Sequence, residues 1–272
     1  MTDQVATASP FHLICELRPP MRPDLTEVRE QVARFYSNAE AFLIPENHIG
    51  IPTVSSIAVA REVIAMGGTP IACLNARDRN LLGFRRDLLT ATVAGVREFL
   101  FVKGDPVEDS PPSGLTVRKM MGEFRQFSEQ YVTGPATLGV TSRLEPLPEW
   151  KRDADRIFLQ ASFSLNALLD WRSSISFDGP ICAGVIVPPS VKRALRWSSE
   201  LPGISVPDSW ITALTKDPLA GVALACELAL AIEESGAFEG VHLISGIRYR
   251  EVSALLEQQR GSTGVTASRD AV

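Results

Sequence analysis

Short apolar runs recur along the chain at fairly regular spacing. They occupy residues 11–16 (FHLICE), 41–44 (AFLI), 70–74 (PIACL), 98–102 (EFLFV), 136–141 (ATLGVT), 156–160 (RIFLQ), 181–187 (ICAGVIV) and 240–244 (GVHLI). Most are continuous rather than alternating, as strands covered on both faces are. Helical periodicity lies between them. Leu25, Val28, Val32 and Phe35 share one face of residues 24–36, and further helices are predicted over 55–66, 81–94, 117–131, 165–173, 191–200 and 219–235. Gly67-Gly68 and Gly95 stand where the second and third of these stop, the usual place for a glycine. Alternating strands and helices imply a parallel sheet. Eight such units in a chain of this length predict the α/β class: a single-domain (β/α)8 TIM barrel over residues 11–257, with tails at 1–10 and 258–272. An open doubly wound sheet is the runner-up, weakened because no GxGxxG follows the first strand. The fifth unit is thin: residues 143–155 contain Pro146 and Pro148 and leave room for barely two helical turns.

Composition narrows the class of function. The 272 residues are 45% hydrophobic, and 27 basic against 32 acidic side chains give a net charge of −5. That is ordinary globular usage, without the basic footprint of a nucleic-acid binder or of a protein drawn to anionic membranes. The four tryptophans, Trp150, Trp171, Trp197 and Trp210, form no stacking array for single strands. No apolar run nears the ~20 residues of a membrane span; the nearest, 220–232, contains Glu227. The polar N-terminus lacks a signal-peptide pattern. Cys15, Cys73, Cys182 and Cys226 are far apart with no CxxC pair, so buried thiols are expected rather than a disulfide or a metal site. A reducing, cytoplasmic location follows.

Chemistry in such a barrel sits at the C-terminal ends of the strands. In chain order those positions hold Glu16, Asn47, Asn75 with Asp78, Lys103 with Asp105, Thr141 with Arg143, Gln160, Pro188, and Ser245 with Arg248. A carboxyl group at the end of a buried strand is partly desolvated, which favours its protonated form and suits a general acid. Glu16 has that position, with a salt bridge to a nearby arginine as the alternative. Lys103-Gly104-Asp105-Pro106 offers a glycine beside which a ligand can approach, although Gly-Asp-Pro also makes plain turns. The Gln160 amide can donate and accept, as recognition of a pterin edge requires; a structural hydrogen bond is its simpler role. The run Arg77-Asp78-Arg79-Asn80 reads as a solvated, helix-capping loop. His12 and His242 fall inside strands and read as structural, and His48 lies in a loop with no partner for a metal.

Seven stretches in order resemble the methylenetetrahydrofolate reductase family, over roughly residues 11–256. They are CELRPP, ENHIGIPTVSSIAVA, LNARDRNLLGFRRDLLTATVAGVREFLFVKGDP, IFLQASF, CAGVIVPPS, LPGISVPDSW and HLISGIR. The resemblance implies a TIM barrel that reduces methylenetetrahydrofolate to methyltetrahydrofolate with NAD(P)H in one-carbon metabolism and methionine biosynthesis. It implies catalytic roles for Glu16, the acid that opens the folate ring, and for Asp105. Asp105, Gln160 and Arg248 are the implied folate-binding residues, and Asn75, Lys103, Gly104 and Thr141 the implied cofactor contacts. FAD is the family's cofactor. The chain departs from the family pattern at Cys73, Asn75, Lys103, Val191 and Ile244-Ser245. The largest departure follows the fifth strand, where the helix that contacts flavin ribose and diphosphate in the family is about ten residues short of the usual unit. Lys151 and Arg152 are candidate substitutes there, with a solvated face as their simpler role. The expectation is thus direct hydride transfer from NAD(P)H without bound flavin. The alternatives are a tetrahydrofolate-linked one-carbon or methyl transferase, a reductase using another electron carrier, and a non-catalytic folate-binding or regulatory barrel. A folate is the expected partner, homo-oligomerisation is left open, and neither nucleic acid nor membrane is expected.

Overall fold

The computed structural model describes residues 11–47, 50–106, 111–201 and 203–266, with side chains through residue 259. The N-terminal decapeptide, His48 and the last six residues lie outside that range.

Eight parallel strands close in sequence order into a barrel, β1 pairing with β8. They are β1 (His12–Glu16), β2 (Ala41–Ile44), β3 (Pro70–Asn75), β4 (Glu98–Val102), β5 (Thr137–Ser142), β6 (Arg156–Ala161), β7 (Ile181–Ile186) and β8 (Gly240–Ile244). Each strand agrees with its apolar run to within a residue. The helices are α1 (Thr26–Phe35), α2 (Ser56–Ala65), α3 (Leu81–Val93), α4 (Val117–Tyr131), α5 (Leu165–Ser173), α6 (Val191–Glu200), α7 (Asp208–Lys216), α8 (Ala220–Ser235) and α9 (Tyr249–Thr266). Side-chain caps start several of them: Ser55, Asn80, Thr116, Ser164 and Ser190 each accept a backbone N–H of the first turn, satisfying a donor that has no partner within the helix. The fifth unit is as short as its sequence predicts. A 3₁₀ turn over Glu149–Asp153 stands where a helix would lie.

Two helices were not anticipated by the apolar pattern. Helix α7 is held by tertiary packing, with Trp210 and Leu214 buried and the Trp210 ring 4.9 Å from Phe163. Helix α9 buries Tyr249, Val252 and Leu256 and continues through 266, across residues assigned above to the tail.

The core has two layers. Alternate strand residues such as Leu13, Phe42, Leu74, Phe101, Val140 and Leu243 pack outward under the helices. The complementary set, Ile14, Leu43, Ile71, Cys73, Leu100, Phe158 and Cys182, fills the barrel. Three inward positions are glycines. A Cβ on Gly139 would stand 2.7 Å from the Phe158 ring, and one on Gly184 2.4 Å from the Leu159 carbonyl. The Phe158 ring therefore occupies room that Gly139 leaves. Its ring packs edge-to-face with His242.

Candidate functional site

Glu16 ends β1 with the inward parity of Ile14, and its side chain is 22% exposed. Its Oε2 lies 3.0 Å from Nε2 of His242 on β8. Register explains the meeting, because Ile14 pairs with His242 and places Glu16 one step above it. His242 is buried, with its ring edge-on to Phe158 at 5.8 Å and 90°. Its position in a strand was foreseen, but the structure moves it from a purely structural place into contact with the candidate acid. The contact is made by the register between β1 and β8, which the continuously apolar sequence of β8 does not disclose.

A second cluster joins the ends of β2 and β3. Arg79 Nη2 donates to both oxygens of Glu46, at 2.8 and 2.7 Å, and its Nε donates to Asp87 at 3.1 Å. A further bond runs from Nη1 to the Asn75 carbonyl. Both ends of the ion pair are buried, the Arg79 side chain 10% exposed and that of Glu46 7%. The expectation of a solvated Arg77–Asn80 loop is therefore corrected at Arg79, whose guanidinium is enclosed by three acceptors. Capping was right at Asn80, which accepts Gly83 N–H. Burial pushes the Glu46 carboxyl above its ordinary range, against the pull of Arg79. For Arg79, burial opposes the charge, but Glu46 and Asp87 outweigh it and hold the guanidinium protonated. Neither residue was singled out beforehand. Glu46 lies past the end of its strand, and only the folded register reveals its partner.

Asn75 is built into this cluster. Its Nδ2 donates to Asp78 Oδ2 at 2.8 Å and Glu46 Oε2 at 3.2 Å, and its Oδ1 accepts Asp78 N–H at 2.9 Å. Asn47, in the left-handed region at φ 48°, donates from Nδ2 to the same Asp78 oxygen at 2.8 Å. Its Oδ1 accepts Thr53 N–H. Asparagine is among the few non-glycine residues that enter that region readily, and here both ends of its side-chain amide are engaged.

The remaining strand-end residues are placed as follows. Lys103 and Asp105 are exposed after β4. Gly104 has φ +86°, and a Cβ there would stand 3.1 Å from Asn75 Oδ1 and 3.0 Å from Arg77 Cβ. Asn75 and Arg77 therefore fill the space that a side chain at this position would need. Thr141 is exposed at the end of β5, and its carbonyl accepts the Lys151 ammonium at 2.8 Å. Gln160 has inward parity on β6, with the backbone at Gly203 close enough that a Cβ would stand 3.4 Å from its Oε1. Arg248 donates to Glu251 at 2.9 Å and to the Pro189 carbonyl at 3.2 Å, bracing α9 against the loop after β7. Its Nε is buried without a hydrogen-bond partner, as is Ser245 Oγ. The structure brings together Glu16, His242, Cys73, Asn75 and Glu46. Burial, then Glu46 and Glu16, push the Cys73 thiol well above its ordinary range, so it stays protonated. A cleft of about 320 Å³ on the outer layer, between α3 and α4, contains none of these groups.

Among the described residues no group of three His, Cys, Asp or Glu is gathered to hold a metal, and no helix is long and apolar enough to cross a membrane.

A closed eight-stranded parallel barrel, ringed by helices and with its polar groups gathered at the strand ends, is the architecture of the TIM-barrel class. No family model matches the chain, and neither does any curated protein. Among solved structures it is similar to a protein from Clostridium thermocellum that binds two copies of 5-methyl-5,6,7,8-tetrahydrofolic acid. Identity is 17%, the TM-score is 0.66, and the match covers 94% of this chain and 97% of the other. A 2,3-dimethylmalate lyase of the PEP mutase/isocitrate lyase superfamily is also similar, at 11% identity and TM-score 0.50, with 97% and 84% covered. At these identities the likeness establishes the fold.

Proposed function

We propose that the chain binds a reduced folate at the C-terminal mouth of the barrel and reduces methylenetetrahydrofolate to methyltetrahydrofolate with NAD(P)H. The observation that carries this reading is the Glu16 carboxyl. It stands inward at the end of β1, partly desolvated and beside an imidazole, where the resemblance in CELRPP requires an acid. The folate bound by the Clostridium thermocellum barrel supports the choice of substrate class. In this reading Glu16 gives its proton to a folate nitrogen as the C–N bond of the five-membered ring breaks and its electron pair passes to that nitrogen. The iminium carbon left behind then takes a hydride from the nicotinamide. One proton and one hydride are consumed, and NAD(P)+ and methyltetrahydrofolate are formed. Gln160, inward on β6, and Asp105 take the pterin-facing roles that the resemblance gives them.

The residues after β5 do not fit a flavin diphosphate. A diphosphate is well received at a helix N-terminus, and here a five-residue 3₁₀ turn replaces the helix. Arg152 donates to the Ser176 carbonyl and pairs with Glu149. Burial lowers the Lys151 ammonium below its ordinary value, with Arg143 adding to it and Glu145 opposing it. Hydride transfer is therefore assigned to the nicotinamide directly.

The test is an anaerobic assay following NADH and NADPH oxidation with methylenetetrahydrofolate, with and without added FAD. Turnover without FAD is expected. Turnover only with FAD overturns the direct transfer. Folate binding without any turnover points to a one-carbon transferase or a folate-binding barrel instead.

A further inference from the structure

Nothing in the proposed chemistry uses His242, yet its surroundings are specified in detail. Its ring is seated edge-on against Phe158. Phe158 is fixed because Gly139 yields it room, and β7 presents Gly184 directly opposite His242 in register. The imidazole thus has a shaped seat in the barrel. Its Nε2 is shielded from solvent and has no hydrogen-bond partner. Glu16 Oε2 is 3.0 Å away, but off the direction of a ring N–H. A buried imidazole nitrogen left unpaired costs free energy. Hydrogen bonds that serve catalysis are often misaligned before substrate binds and tighten afterwards.

The other groups around Glu16 leave this contact its own role. Cys73 from β3 stays a neutral thiol. Glu46 is paired with Arg79, and the Asn75 amide is taken up by Glu46 and Asp78. On β2, Leu43 is the register partner of Glu16 and is apolar.

We infer that His242 is a positioning residue for the Glu16 acid. The inference rests on the reductase reading above. When this contact tightens on substrate binding, the imidazole presents Nε2–H to Glu16 Oε2, and this leaves the acidic proton on Oε1. When the Oε1–H bond breaks and the proton joins the substrate nitrogen, the negative charge left on the carboxylate stays next to the Nε2–H donor. The acid goes from neutral to −1 while the opened folate goes from neutral to +1, so charge and proton balance without any further reactant. A donor fixed beside developing charge contributes more than it would in water.

The experiment compares His242→Phe, His242→Gln, Glu16→Gln and the double variant Glu16→Gln/His242→Phe. It measures kcat and, separately, methyltetrahydrofolate affinity by titration. Phenylalanine keeps the ring contact with Phe158 and removes the donor. We expect His242→Phe to lower kcat about 100- to 1,000-fold with folate affinity within about threefold, the scale for loss of one donor to developing charge. His242→Gln, which restores an N–H, should recover most of the loss. The double variant should be no slower than Glu16→Gln alone, as for residues that act as a unit. Wild-type kcat in His242→Phe, or losses that multiply in the double variant, overturns the inference and leaves the reductase reading standing. Absence of turnover in the wild-type protein overturns both. Circular dichroism verifies folding, and if His242→Phe fails to fold, His242→Leu, which also removes the donor, takes its place under the same criteria.

Discussion

The two ends of the barrel partner their polar groups differently. At the N-terminal end the charges are matched to partners. His12 Nδ1 meets Glu40 at 2.6 Å, Arg156 reaches across from β6 to Glu98 on β4 at 3.2 Å, and Glu239 accepts Ile181 N–H at 2.8 Å. Asp155 takes two bonds from Arg125 and one from Leu138 N–H. At the C-terminal end, His242 Nε2, Ser245 Oγ and Arg248 Nε are buried without hydrogen-bond partners, Asn47 is in the left-handed region, and the Glu46 carboxyl is pushed up by burial. Buried polar groups are normally satisfied, so an unsatisfied one calls for an explanation. The same closed sheet thus carries paired charges at one end and, at the other, a paired cluster around Glu46 and Arg79 beside buried polar atoms without partners, and the second end is the one that carries chemistry in this architecture.

The sharpest way to break that comparison is at Glu16. Glu16→Gln should leave thermal unfolding within ~2 °C of wild type and lower methylenetetrahydrofolate reduction by roughly two to four powers of ten, the scale of a lost general acid. Near-normal turnover would remove Glu16 from the chemistry and make the upper layer another staple.

Next in size is the buried pair. Arg79→Leu leaves the Glu46 carboxyl enclosed without its guanidinium, and breaking a buried pair in this way costs about 3–5 kcal/mol, readable in urea unfolding. Glu46 also gives a pH signature. Burial raises its folded value above the ordinary 4.5, so the folded chain binds the proton more readily than the unfolded chain. Its contribution to stability is then greatest below pH 4.5 and diminishes as pH rises through the raised value. The stability of wild type relative to Glu46→Gln should therefore fall from pH 4.5 upward. A difference that rises over that range would mean that Arg79 outweighs burial.

What was legible beforehand divides along similar lines. The strands were, because a strand covered on both faces writes a continuous apolar run, and AFLI, EFLFV and GVHLI match β2, β4 and β8 residue for residue. Helix α7 was not, because DSWITALTK is short and its stability comes from Trp210 packing on Phe163, a contact between distant segments. Glu16 could be found from its place at a strand end. His242 could not be told from a structural histidine in a continuously apolar strand, where alternation gives no sign of which residues face inward. Glu46 and Arg79 lie 33 residues apart and become partners only when β2 and β3 pair. Single-residue chemistry tied to a strand end is visible in the sequence; chemistry made by register is not.

A smaller effect is expected where the two layers meet. Gly139→Ala would place a Cβ 2.7 Å from the Phe158 ring, and such overpacking costs about 1–3 kcal/mol. Because Phe158 is the seat of His242, turnover should fall beyond what the lost stability explains. Unchanged kcat in the folded variant would show that the ring and the imidazole move independently.

The smallest effect tests the N-terminal end. The Arg156 and Glu98 side chains are 18% and 26% exposed, so solvent screens the pair and it contributes little more than about 1 kcal/mol. Glu98→Gln keeps the shape and one acceptor while removing the charge, and should lower stability by no more than that amount while leaving kcat and folate affinity at wild-type values. The two carboxylates, Glu16 and Glu98, both face inward, near opposite ends of the same barrel. If neutralising Glu98 impaired turnover as neutralising Glu16 is expected to do, the two layers would be one coupled system, and position along the strand would not separate stability from function in this barrel.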